Sequence, residues 1–284
     1  MKKGDNMNKN ELNKLKEIAN TVRRDCIKIQ KIINSGHLGG SLSAVEIMAY
    51  LYFYKMNIDN KEPLKKDRDV FVLSKGHASL GYYSVLARRG FFPVEELKTY
   101  RQINSRLQGH TEIDSVPGVE CSTGSLGQGL SFGLGLALGY KKKNINNKVY
   151  VLLGDGEMQE GQIWEALLLQ GRLQLDNLIP IIDNNRLQLD DYCENVVGDW
   201  KMKEKLKAFK FNVIEVDGND FNDIDKGFNA LKPDKANIII SNTVKGKGIS
   251  FMENKIEWHS KKMNDEEYKL ALQELDNQGG EKDD

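Results

Sequence analysis

The chain has 284 residues, with 41 basic and 41 acidic side chains, 39% hydrophobic residues and 29% charged ones. That length buries a substantial core, the balanced charge argues against a nucleic-acid footprint, and no apolar run is long enough to span a bilayer. The polar start from Met1 to Asn6 is unlike a secretory signal, and Cys26, Cys121 and Cys193 are odd in number and far apart, so free thiols and a cytoplasmic protein without nucleic-acid or membrane partners are expected.

Residues 1–10 read as a flexible N-terminus, 11–276 as one α/β domain and 277–284 as a disordered tail. From Glu11 to Asn34 the apolar groups Leu12, Leu15, Ile18, Val22, Cys26, Ile29 and Ile33 fall on one face of a long helix ending at Ser35-Gly36. A glycine-rich loop, Ser35 to Ser41, follows, with His37 as its one bulky polar group. Ser43-Ala44-Val45-Glu46 has capping-box spacing and predicts a buried helix from Val45 to Met56. Asp69 to Leu73 reads as a buried strand ending in the turn Ser74-Lys75-Gly76-His77. Residues 78–100 read as two helices parted near Gly90, with Pro93 suited to the first turn of the second. Arg101 to Ser125 lacks periodicity and is expected to be a loop, and one of that length is usually functional or disordered. Gly124-Ser125-Leu126-Gly127-Gln128-Gly129 then opens an apolar helix carrying Gly133, Gly135 and Gly139. Each glycine costs about 1 kcal/mol of helix propensity relative to alanine, which predicts close packing against another backbone.

Val149 to Leu153 is an apolar strand that breaks into Gly154-Asp155-Gly156-Glu157. A helical pattern from Glu160 to Leu169 leads to a second buried strand, Leu178 to Ile182, which ends in Asp183-Asn184-Asn185. Parallel strands joined this way end on the same sheet edge, so Asp155 and Asn185 can converge where α/β folds bind ligands. A carboxylate and an amide oxygen form a hard-oxygen pair suited to Mg²⁺ or Ca²⁺, leaving octahedral positions for phosphate oxygens. The glycines beside Asp155 let the backbone approach a phosphate. Gly-Asp-Gly alone is an ordinary turn; its pairing with the second strand end carries the metal-diphosphate reading.

Asn212 to Val216 reads as a strand, Phe221 to Leu231 as a helix and Ala236 to Ile240 as another strand. Strands alternating with helices predict a doubly wound, mainly parallel sheet with helices on both faces. The last strand leads to Lys245 in a glycine-rich turn, then to Trp258-His259-Ser260, and Asp265 to Gln273 forms a final helix. All four histidines, His37, His77, His110 and His259, fall in glycine-bearing or irregular turns. Any one alone reads as a surface histidine, and Lys75 and Lys245 alone as solvated charges. Together the imidazoles suit proton traffic on the hydroxyl and carbonyl groups of a sugar.

Gly154-Asp155-Gly156, Glu160-Gly161 and Asp183-Asn184-Asn185 resemble the thiamine diphosphate fingerprint as the transketolase family writes it, and the resemblance runs from about residue 11 to 262. It implies the thiamine diphosphate-binding fold, with Asp155, Asn185 and the Leu187 carbonyl as ligands of Mg²⁺, for which Ca²⁺ or Mn²⁺ can substitute. The ion clamps the cofactor's diphosphate, with Gly156 and Glu157 beside it and Lys75 and Lys245 approaching it. Gly124, Ser125 and Leu126 match residues lining the pyrimidine and thiazolium, although Ser125 stands where many members have proline and Ser260 where glycine is common. By the same resemblance His110 meets the C1 hydroxyl of a ketose donor, His37 and His259 serve proton transfer at its C3 hydroxyl, and His77 lies beside the reactive carbon. His77 and His259 also contact the cofactor, and Glu160 matches a position at the subunit interface.

The family continues into a pyrimidine-binding domain and a C-terminal domain, and this sequence stops before them, so it resembles the N-terminal subunit of a split transketolase. The implied activity is transfer of a two-carbon ketol unit between sugar phosphates, together with a C-terminal subunit in an α2β2 assembly, the chain alone forming a homodimer. Two alternatives stand beside it. A 1-deoxyxylulose-5-phosphate synthase-like subunit shares Gly-Asp-Gly, but His37, His110 and Trp258-His259 favour transketolase. A non-catalytic cofactor-binding remnant would not need the intact metal and histidine positions.

Overall fold

The computed structural model describes residues 7–189, 191–198 and 201–279. The flexible start and disordered tail expected at residues 1–6 and 280–284 lie outside them. The strands are β1 (Val70–Leu73), β2 (Val149–Gly154), β3 (Leu178–Asn184), β4 (Leu187–Gln188), β5 (Asp191–Tyr192), β6 (Asn212–Asp217) and β7 (Asn237–Asn242). Five of them form a wholly parallel sheet in the order β1-β2-β3-β7-β6, and β4 and β5 make a small antiparallel pair. The helices are α1 (Lys9–Ile33), α2 (Leu38–Leu42), α3 (Val45–Tyr50), α4 (Ser79–Arg89), α5 (Gln128–Lys142), α6 (Gly161–Leu173), α7 (Cys193–Val197), α8 (Met202–Ala208), α9 (Phe221–Asn229) and α10 (Asp265–Asn277).

A parallel sheet needs cover on both faces, and the strands are accordingly apolar at successive positions. Phe71, Leu73, Tyr150, Leu152, Ile179, Ile181 and Ile239 join one core with α1, α3, α4, α9 and α10. The intervening residues Val70, Val72, Val149, Val151, Leu153, Leu178, Ile182, Ile238 and Ile240 join a second core with α5, α6 and α8. The register sets Gly154 beside Asp183 and Asn184 beside Asn242, so the residues just past β2, β3 and β7 share one edge. Pro180 cannot donate to a ladder; the pairing of β3 to β7 begins one residue later, at Ile181.

The structure departs from the sequence reading at several points. Helix α1 starts at Lys9, where the Asn8 side chain accepts from Asn10 N and Glu11 N and Glu11 reciprocates, so Lys9 and Asn10 are helical rather than part of a flexible start. Ser43 is not a cap. Its hydroxyl donates to Gly40 O at 3.2 Å and to Asp183 Oδ2 at 2.6 Å, drawn away by a buried carboxylate, and α3 begins after Ala44 without a side-chain cap. The expected helix to Met56 is α3 followed by a π-helical turn, Leu51–Lys55, closed by Met56 N to Leu51 O at 2.8 Å. Of the α5 glycines, Gly129 and Gly133 are forced by packing: a Cβ would lie 2.5 Å from Ser74 Oγ at the first and 2.6 Å from Val151 Cγ2 at the second, whereas Gly135 and Gly139 face nothing within 4 Å. Residues 35–41, expected as loop, include the start of α2. Helix α10 runs past Gln273 to Asn277, held by Asn20 Nδ2 donating to Leu275 O at 2.8 Å.

All three cysteines are free, as expected. No helix among the described residues is long and apolar enough to cross a membrane.

Candidate active site

A cavity of about 370 Å³ opens at the C-terminal edge of the sheet and is lined by His37, His77, His110, His259, Lys75, Lys245, Gly124, Leu126, Asp155, Gly156, Glu157, Glu160, Asn185 and Leu187. Larger surface grooves exist, such as one of about 920 Å³ between Lys201 and Glu215, but none gathers these groups. Each histidine arrives on a turn that local sequence dictates. His37 precedes α2, His77 sits in the 3₁₀ turn Gly76–Ala78 after β1, and His259 ends the 3₁₀ turn Ile256–His259. His110 belongs to the irregular segment after Tyr100 and packs on Gly124, whose φ of +128° and lack of a side chain permit it: a Cβ would lie 2.9 Å from the imidazole. Buried Trp258 anchors the turn that carries His259, its ring 5.5 Å from Phe251.

The imidazoles form one cluster, with ring centres 5.4 Å apart for His37 and His77, 6.1 Å for His37 and His110, and 5.2 Å for His37 and His259. Burial and cationic neighbours hold all four neutral at physiological pH. Burial first, then Arg101, His110 and Lys245, lowers His37 to about 4. Burial, then Lys245, His37 and Lys75, lowers His259 to about 4. His77 is pushed well below its ordinary value by burial and by Lys75, and His110 is lowered by burial and by Arg101. A neutral imidazole carries one donor and one acceptor, the requirement for moving protons between hydroxyl groups.

The same cavity is lined by Asp155, Asn185 and Leu187, with Lys245 Nζ lying between the Leu187 carbonyl and His259. Asp155 accepts from Gly156 N at 2.8 Å and from Arg186 N, and the Cys193 thiol leans on it. Burial, reinforced by the negative charge of Asp183, raises Asp155 to about 6. Asn185 Oδ1 accepts from Leu187 N at 3.1 Å with one lone pair and keeps the other. The Leu187 carbonyl already faces a cation, Lys245 Nζ, at 3.3 Å. Among the described residues no group of three or more His, Cys, Asp or Glu is placed to hold a metal. One carboxylate, one amide oxygen and one carbonyl oxygen on a shared cavity fit a hard divalent cation that keeps positions for phosphate oxygens.

Glu157, Lys75 and Ser125 sit differently from the sequence reading. Glu157 lines the cavity, but its carboxylate is turned to structure, accepting from Ser74 Oγ at 2.5 Å, Gly127 N at 2.8 Å and Gly154 N at 3.0 Å, so it ties three turns together. Lys75 is fully buried, its ammonium bound to Asp183 and to Gly40 O at 2.9 Å. Ser125 is exposed and off the cavity wall, unlike its neighbours Gly124 and Leu126. Glu160 stands exposed at the rim, just before α6.

Asp183 and Arg101 were assigned no role by sequence. Asp183 accepts from Ser43, Lys75, Thr243 and, at 3.2 Å, from Asn185 Nδ2, which fixes the Asn185 amide. Its place in Asp183-Asn184-Asn185 at a strand end was the available signal. Arg101 lies in an aperiodic stretch and had none.

With this geometry in place, residues 14–280 match the family described as "Transketolase, thiamine diphosphate binding domain". The chain belongs to the transketolase family. It is 42% identical over 265 residues to an apulose-4-phosphate transketolase subunit from Actinobacillus succinogenes, covering 92% of this chain and 95% of that one. It is 38% identical over 267 residues to the 6-deoxy-6-sulfo-D-fructose transketolase subunit SqwG of a Clostridium species, covering 93% and 97%. The crystal structure of transketolase from Campylobacter jejuni superimposes with a TM-score of 0.88 at 34% identity, over 95% of this chain but 43% of that one. The parallel α/β architecture is thus that of a transketolase's thiamine diphosphate-binding domain.

Proposed function

We propose that this chain is the N-terminal subunit of a split transketolase, which with a second polypeptide transfers a two-carbon ketol unit between sugar phosphates using thiamine diphosphate and Mg²⁺. The observation that carries the reading is the convergence, on one cavity, of the oxygens of Asp155, Asn185 and Leu187 with four neutral imidazoles. The relatives named for apulose-4-phosphate and 6-deoxy-6-sulfo-D-fructose point to a ketose donor whose far end is anionic.

In this reading Asp155, Asn185 and the Leu187 carbonyl would hold the ion, and the Lys245 ammonium would offset the charge of the diphosphate, with Gly156 beside it. Lys75 acts one layer back, its charge balanced by Asp183. Thiamine diphosphate supplies the carbanion chemistry when bound. His110 orients the C1 hydroxyl of the ketose, and His37 and His259 hold and move the proton of its C3 hydroxyl as general acid and base. His77 closes the cavity beside the reacting carbon and excludes water. Ca²⁺ or Mn²⁺ serves in place of Mg²⁺.

Two observations support a partner subunit. No motif in the chain matches the glutamate that the family uses to activate the aminopyrimidine. Apolar side chains are also exposed: Leu189 on the cavity wall, and away from it Val196 and Val197 on α7 and Phe132, Leu168, Leu169 and Leu173 on α5 and α6. An α2β2 arrangement covers this surface, with Glu160 linking the two sites across the two-fold axis. The test is a ketol-transfer assay of the separate and mixed subunits with thiamine diphosphate and Mg²⁺. Activity is expected only on mixing; full turnover by this chain alone overturns the split-enzyme reading.

A further inference from the structure

Arg101 stands behind the histidine cluster in a frame of its own. It follows the 3₁₀ turn Val94–Thr99, takes a φ of +59°, and its N–H donates to Leu107 O at 2.8 Å, closing a tight loop. Its guanidinium donates from Nη1 to Ser35 Oγ at 3.0 Å and from Nε to Tyr100 Oη at 3.3 Å, and Tyr100 is itself held by Ser79 Oγ at 3.0 Å. Gly109 leaves just enough room, since a Cβ there would lie 2.7 Å from Arg101 Nε. Among the described residues no carboxylate pairs with this cation. The remaining arm, Nη2, lies 3.5 Å from His37 Nδ1. His37 and His110 line the cavity and Arg101 does not, so any effect on bound sugar passes through the histidines.

A guanidinium has donors only and does not deprotonate in proteins. A protonated Nδ1 would therefore set a hydrogen against a hydrogen beside a full positive charge. We propose that Arg101 is a positioning residue that fixes His37 in the neutral tautomer with its proton on Nε2, leaving Nε2–H as the one donor the ring can offer. His259 Nδ1 lies 3.2 Å from Lys245 Nζ, and the His37 and His259 ring centres are 5.2 Å apart. In its Nε2–H form His37 can only donate to the C3 hydroxyl, so accepting that hydroxyl's proton falls to His259. The remaining titratable or charged groups facing His37 are His77, His110, His259 and Lys245, all cationic when protonated, so removing Arg101 eases protonation of His37 in one direction only. The catalytic consequence rests on the transketolase reading, whereas the tautomer does not.

The test is ¹⁵N–¹H long-range correlation on the full chain carrying ¹⁵N-labelled histidine, in which four histidines give four resolvable rings. In the wild-type chain His37 is expected as the Nε2–H tautomer, staying neutral to about pH 4. In Arg101→Gln its titration midpoint rises by roughly one pH unit, a tenfold gain in proton affinity, and its tautomers mix, while His259 is unchanged. Arg101→Lys keeps the cation and the low midpoint. In the assembled enzyme Arg101→Gln moves the acid limb of the kcat profile to higher pH by the same amount. A wild-type His37 protonated on Nδ1 overturns the proposal whatever the variants do, as does an unshifted His37 in Arg101→Gln. A correct tautomer in a chain that shows no ketol transfer on mixing refutes the proposed function instead.

Discussion

The carboxylate of Asp183 and the ammonium of Lys75 form an ion pair in which each side chain is about 1% exposed. Burial alone would push Asp183 up, but Lys75 and the hydroxyls of Ser43 and Thr243 hold it below the usual carboxylate range. The pair connects the end of β3 to the turn after β1, and Asp183 also fixes the Asn185 amide. Breaking a buried pair strands a charge, so Asp183→Ala is expected to cost about 3–5 kcal/mol in urea unfolding. The double variant Asp183→Leu with Lys75→Met should lose much less than the two single changes together. Additive losses would mean that the two groups do not compensate each other.

Asp155→Ala and Asn185→Ala each remove one oxygen from the proposed ion site while leaving the sheet edge intact. Calorimetric titration of the assembled enzyme with thiamine diphosphate should show tight binding with Mg²⁺ for the wild type, and no Mg²⁺-dependent gain for either variant. Thermal unfolding of the isolated variants should stay close to wild type. Cofactor affinity unchanged by either substitution would remove the metal assignment.

His37→Ala and His259→Ala act on substrate protons, for which a positioned general acid or base contributes roughly 10²–10⁴-fold. Turnover of the assembled enzyme should fall by that order in each, and cofactor affinity should fall far less. A variant that fails mainly in cofactor binding has been given the wrong role.

The same two histidines make stability depend on pH with a definite sign. Their protonation is suppressed in the folded chain, to about 4 against an ordinary 6.5, so the unfolded chain binds more protons between those values. Their contribution is complete above about pH 6.5 and is lost as pH falls toward about 4. The difference in unfolding free energy between wild type and the His37→Ala, His259→Ala double variant should therefore shrink or reverse on acidification, as read by urea titrations at several pH values. A constant difference would show that both imidazoles titrate as free histidines.

Leu168 and Leu173 are 59% and 44% exposed on α6, a degree of exposure at odds with their size. Leu168→Glu with Leu173→Glu should leave the melting temperature nearly unchanged and convert a self-associating chain to monomer in light scattering. It should also weaken assembly with the partner subunit. A wild-type chain that is monomeric at high concentration would discard this face as an interface.

The sheet was readable from local sequence because its signal is local. Val149 to Leu153 and Leu178 to Ile182 are apolar runs that end in polar turns, and consecutive parallel strands must end on one edge, so the meeting of Asp155 with Asn185 followed before any contact was known. The residue types also determined the chemistry available there: hard oxygens, imidazoles and lysines among glycines. What that reading could not settle depends on partners brought from far along the chain. Ser43 has the spacing of a cap, yet its hydroxyl goes to Asp183, 140 positions away. Glu157 reads as a cofactor neighbour, but Ser74 and Gly127 claim its oxygens. The neutrality of the histidines and the place of Arg101 behind His37 likewise belong to the tertiary structure. A hydrogen bond or a shifted proton affinity is fixed by burial and by the group across the gap, and neither is written in the neighbouring residues.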